Sequence, residues 1–145
     1  MQRLFLSWLL VVAWMVLIFT FSAQPAEQSS SLSGGIVEPI IETIETVVPA
    51  VTIDKDFFHT FIRKNAHFFA YFILGMLSLH AFRRSGVNGI KAVISAFLLS
   101  VVYAISDEVH QLFVPGRSGE VRDVLIDSAG AFIGIVIYYC LSKLY

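Results

Sequence analysis

Residues 107–127 read DEVHQLFVPGRSGEVRDVLID, and this stretch decides how the chain is laid out. It is polar and charged, yet it joins two long apolar runs, residues 92–105 and 124–141. Asp107 and Glu108 close the first run, Pro115-Gly116 interrupts the chain, and Asp127 lies inside the second run. Proline and glycine together end a helix. Ionisable side chains at the margin of a bilayer are costly and mark a functional site by default. The stretch therefore reads as a charged turn between two membrane helices, with the rest of the chain as its frame.

Composition supports that reading. The 145 residues are 57% hydrophobic and only 14% charged, where a soluble domain carries about 25% charged residues. Mean hydropathy is +0.76, as expected of an integral membrane protein. The length suits a single domain spanning residues 1–145. A net charge of −1 argues against nucleic acid as a partner, because tracking phosphates needs a basic face. One cysteine, Cys140, precludes an internal disulfide.

Outward from the turn, the remaining chain supplies two further spans. Residues 4–21 are almost unbroken apolar sequence, enough for about 27 Å of helix. That run exceeds the usual signal-peptide core, and Phe21 spoils the small-residue pattern before Ala23. It is read as a retained first transmembrane helix. Residues 24–35 (QPAEQSSSLSGG) form a flexible Ser/Gly-rich linker. Residues 36–51 place Val37, Ile40, Ile41, Ile44, Val47 and Val48 at helical spacing, with Glu38, Glu42 and Glu45 opposite. This is a short amphipathic helix within the 24–53 segment, lying on the membrane surface or docking on the protein itself. Asp54 and Asp56 then supply a helix start. Helices are expected over 57–82, 89–113 and 120–143. The fold class is all-α: an integral membrane four-helix bundle with a short amphipathic helix in the first extracytoplasmic loop.

The positive-inside count is even. With the N-terminus inside, Arg3, Arg83, Arg84, Lys91 and Lys143 are cytoplasmic, while Lys55, Arg63, Lys64, Arg117 and Arg122 are outside. Density breaks the tie, because the inner five sit in very short segments. All 11 acidic residues then fall outside. The expectation is a multi-pass cell-membrane protein with both termini cytoplasmic, which places residues 63–67 and 107–127 on the same outer face.

Three helices carry candidate site residues. Arg63, Lys64, His67 and Tyr71 share about one-third of the second helix's circumference, and Ser78 continues the stripe. On the third, Ser100, Tyr103, Ser106, Asp107, His110 and Gln111 form an arc flanked by Glu108. Ser100 and Tyr103 also suit plain helix–helix hydrogen bonding. Acids at a helix C-terminus oppose its dipole, so a cation is expected beside them, from Arg63, Lys64, Arg117 or Arg122. On the fourth, Asp123, Asp127, Gly130 and Gly134 align. The G-x-x-x-G pair permits close helix approach, and the aspartates point into the same contact. Arg117 on the turn is placed to fold over the group. Mixed cations, acids, His and Tyr at one depth suit a polar or phosphate-bearing ligand.

The motifs K-N-A-H-F-F-A-Y-F-I-L-G (residues 64–75) and E-V-H-Q-L-F-V-P-G-R (108–117), followed by Asp123 and the glycine pair, resemble the VanZ-like family of small bacterial membrane proteins. F-S-A-Q at 21–24 resembles that family's usual end to its first helix. The resemblance covers the chain outside residues 28–56. Asp127 stands where the resemblance leads one to expect Asn. It implies a multi-helix membrane protein linked to lowered susceptibility to glycopeptide antibiotics of the teicoplanin type, without settling a molecular activity.

Three functions remain open at this stage. The first is binding or handling of a lipid headgroup or cell-wall precursor by Arg63, Lys64, His67, Tyr71, Asp107, Glu108, Gln111, Arg117, Asp123 and Asp127. The second is a metal-dependent hydrolase of phosphate esters, using His67, His110, Glu108, Asp123 and Asp127. No compact H-E-x-x-H ligand motif supports it, and the sequence calls for no cofactor. The third is a structural partner, as an oligomer or within an envelope complex. A G-x-S-x-G elbow and a P-loop are both missing from the sequence.

Overall fold

The computed structural model describes residues 1–25, 34–35, 38–39, 41–44, 46–47 and 54–144. Four long helices carry the chain: α1 (Gln2–Ser22), α2 (Lys55–Arg84), α3 (Gly89–Gln111) and α4 (Val121–Leu144). All four are long and apolar enough to cross a bilayer. The protein is an all-α, membrane-embedded four-helix bundle. Large apolar side chains such as Phe5, Leu10, Phe69, Ile94, Val102 and Leu125 face outward, as required where the solvent is hydrocarbon.

Local chemistry sets the helix ends. The Asp54 carboxylate accepts a hydrogen bond from the Phe57 amide at 3.2 Å, satisfying one of the donors that a helix start leaves unpaired. α3 stops at Gln111 rather than near residue 113, because the chain tightens there into three-residue turns. Phe113 N–H bonds the His110 carbonyl at 3.0 Å and Val114 N–H bonds that of Gln111 at 3.1 Å. The next turn closes from the Arg117 amide to the Val114 carbonyl at 3.1 Å. Gly116 sits there at φ 75, the left-handed geometry that follows proline in a type II turn.

Cross-helix contacts show an up-down arrangement. At one end Gln111 of α3 bonds Ser22 of α1 at 2.9 Å, and Lys64 of α2 meets Asp123 of α4. At the other end Trp8 Nε1 of α1 donates to Ser85 Oγ just past α2 at 2.9 Å. α1 is built into the bundle: Trp14 donates to the Ala70 carbonyl at 2.8 Å, and Tyr103 to that of Met15 at 2.5 Å. Val11 and Ile18 are buried with Tyr71, Leu74, Ala104 and Ala131.

The tightest seam joins α2 and α4. A Cβ added at Gly130 would collide with the Phe68 carbonyl, one at Gly134 with the Phe72 carbonyl, and one at Gly75 with Ala131. The glycine face expected on α4 is thus the surface on which α2 lies, and van der Waals contact drives such packing in membranes. In the expected amphipathic segment, residues 38–39, 41–44 and 46–47 are helical and Ile41 is buried. The rest of 36–51 and the linker at 26–33 lie outside the described residues.

Candidate functional site

The α2–α4 seam carries its aspartates to the same end of the bundle as the turn at 107–127. Arg63, Lys64 and His67 of α2, Gln111 of α3, and Asp123, Ile126 and Asp127 of α4 line one cleft there. Tyr71, Asp107 and Glu108 are buried beside it.

Lys64 Nζ lies 2.6 Å from Asp123 and 3.4 Å from Glu120. Both Lys64 and Asp123 are part-buried, and such a charge-assisted bond contributes about 1.5–3 kcal/mol. One turn deeper, His67 Nδ1 approaches Asp127 Oδ2 at 3.5 Å. Lys64 and His67 are three residues apart on α2, and Asp123 and Asp127 four apart on α4. Both spacings put neighbours on one helix face, so the two pairs are consecutive rungs across the glycine seam.

Glu108 resolves the dipole conflict differently from the sequence expectation. No Lys or Arg reaches it within ion-pair distance among the described residues. One carboxylate oxygen accepts from Gln111 Nε2 at 3.2 Å and the other from the Glu120 amide at 2.9 Å. The amides at the start of α4 thus neutralise the end of α3, since a helix N-terminus favours negative charge. Lys64 is taken by Asp123 and Glu120, and Arg122 is exposed.

Arg117 does not close over the cleft as a lid. Its guanidinium turns to the end of α1, donating to the carbonyls of Gln24 at 2.8 Å and Phe21 at 3.3 Å. Helix C-termini attract cations, and these carbonyls hold Arg117 in place of the cleft. Burial draws Arg117 below the usual arginine value; so does Arg63, while Asp107 and Glu108 act in the opposite direction. Arg63 has no ion-pair partner among the described residues.

Unsatisfied groups lie below. Both Asp107 oxygens, Asp127 Oδ1, the Tyr71 hydroxyl and Ser78 Oγ are buried without a hydrogen-bond partner among the described residues. Such orphans are costly in a low-dielectric interior. Ser100 bonds its own helix at the Ala96 carbonyl, and Ser106 bonds that of Tyr103, so neither enters the site. The His110 ring packs on Phe19 at 4.4 Å, away from the cleft-lining set.

Ser22, Glu120 and Ile126 were not among the sequence candidates. Ser22 supports Gln111, and only the F-S-A-Q signature at the end of α1 hinted at it. Glu120 was read only as the start of the fourth helix, and Ile126 only as part of it.

Searches of curated proteins and of solved structures return no match. The VanZ/LLP1 family description matches residues 6–142. That span takes in all four helices and every residue of the cleft, so the chain belongs to the VanZ/LLP1 family.

Proposed function

We propose that the cleft binds a phosphate-bearing lipid headgroup, of a membrane phospholipid or a lipid-linked cell-wall precursor, at the outer leaflet. The orientation is the one with both termini cytoplasmic. The observation that carries this reading is Arg63, which lines the cleft without a carboxylate partner among the described residues. A planar guanidinium not taken by a carboxylate matches phosphate oxygens in a two-point bond. The cleft opens at the end of the helices, where headgroups lie, and its flanks are apolar enough to face acyl chains. Lys64, held in place by Asp123 and Glu120, keeps one N–H as a further donor. Through this ligand the protein lowers glycopeptide susceptibility, as the family link implies.

The test is a photo-crosslinking amino acid in place of Ile126, which lines the cleft. Mass spectrometry of the adducts should recover phosphate-bearing lipids, and Arg63→Ala should cut the yield at least fivefold. Adducts that carry no phosphate, or a yield indifferent to Arg63, would refute the reading.

A further inference from the structure

The cleft holds more acid than its cations neutralise. Lys64 is committed to Asp123 and Glu120, and Arg117 to backbone carbonyls. Among the described residues, Asp107, Glu108 and Asp127, at most 5% exposed, then have within ion-pair distance only His67, which reaches Asp127. Buried carboxylates in such number either take up protons or meet a compensating positive charge.

The geometry shows what form that charge takes. One ligand atom each from His67, Glu108 and Asp127 lies within 4.8 Å of the others. An imidazole nitrogen with two carboxylate oxygens is the donor set of divalent transition cations. Bonds of about 2.0–2.2 Å place adjacent ligand atoms about 3–3.5 Å apart, so rotation of the side chains must close the set by about 1 Å. A second observation points the same way. Asp127 is fully buried and lines the cleft, yet its Oδ1 has no partner among the described residues; both oxygens of neighbouring Asp107 are likewise unpaired. Glu108 is aimed by Gln111 and by the Glu120 amide, the kind of outer support that orients a metal-binding carboxylate. Each Glu108 oxygen keeps a lone pair free after those bonds.

We infer that His67, Glu108 and Asp127 hold one divalent transition-metal cation, and that this cation joins Arg63 in binding the phosphate of the headgroup. The second half rests on the headgroup reading above. Without the metal, the acids would repel phosphate from the deep end of the cleft. With it, three protein ligands leave coordination positions open for phosphate oxygens.

The experiment uses full-length protein purified in detergent, with Mn2+ as probe. Equilibrium titration is expected to show one Mn2+ per chain, and His67→Ala and Asp127→Asn should each weaken binding at least about tenfold. Because either variant can unfold, pulsed electron paramagnetic resonance on the wild type provides an independent readout. It should show coupling of bound Mn2+ to a histidine nitrogen and, with phosphatidylglycerol present, to phosphorus. A wild type with no stoichiometric Mn2+ site, or Mn2+ without nitrogen coupling, overturns the cation site. Phosphorus coupling absent with the lipid, or seen with inorganic phosphate alone, overturns the bridging role. Loss of the Ile126 adducts with the Mn2+ site intact sinks the headgroup reading and leaves the cation; adducts that persist without any Mn2+ site sink this proposal alone.

Discussion

The two ends of the bundle are both polar, and they are polar in different ways. At the end containing Lys64, Glu108 and Asp127, acids and bases are buried between helices and only partly satisfy one another. At the opposite end, cations spread over aromatic rings: Arg83 lies over Tyr138 and Tyr139, and Lys143 lies 4.6 Å above Tyr139. Arg83 also bonds Ser142, and His80 meets the Tyr138 hydroxyl at 2.5 Å. Trp8 donates to an exposed Ser85. Basic and aromatic residues in this mixture form the belt that anchors a helix bundle at a membrane interface. The comparison separates a polar end of partly exposed cation–aromatic contacts from one whose polar groups are buried and partly unpaired.

The largest effect is expected where the charged end is built. Gly134→Leu drives a side chain into the Phe72 carbonyl and prises α2 from α4, costing about 3 kcal/mol, the upper part of the overpacking range. Thermal unfolding in detergent measures it, and a variant as stable as the wild type would deny the seam its role. Lys64→Met leaves Asp123 without its cation, with an expected loss of about 1.5–3 kcal/mol, read by the same melt. Exposed Arg122→Ala, beside it in sequence, should stay within about 0.5 kcal/mol. If the two behave alike, the difference between a committed and a solvated cation disappears.

Smaller effects sharpen the contrast. Arg117→Lys keeps the charge but loses the fork that reaches both Phe21 and Gln24, for about 1 kcal/mol. Arg83→Ala at the opposite end should cost about 0.5–1 kcal/mol and leave crosslinking at Ile126 unchanged. A crosslinking defect in Arg83→Ala would mean that the two ends are not functionally separate.

Much of this was legible before any coordinates. Pro115-Gly116 announced the turn, Asp54 announced the start of α2, and the helix ends fell within two residues of expectation. The stripe of Arg63, Lys64 and His67 meets the line of Asp123 and Asp127 because residues three or four apart share one helix face. Less legible was the allocation of partners. Lys64 had several acids within plausible reach, and Glu108 several cations; the first chose Asp123 and Glu120, the second chose backbone amides. Arg117 looked like a lid and serves as a tie to α1.

Sequence alone determined the four spans, their breaks and the angular position of each polar stripe. These depend on hydropathy, helix period and residues that cannot continue a helix, all local properties of the chain. Tertiary structure decided which helix faces each stripe, which cation each acid takes, and which buried oxygens are left over. Periodicity fixes a direction around one helix axis and carries no information about the neighbour lying in that direction. Only when the glycines of α4 let α2 approach to backbone contact do distances of 2.6 and 3.5 Å between side chains become fixed.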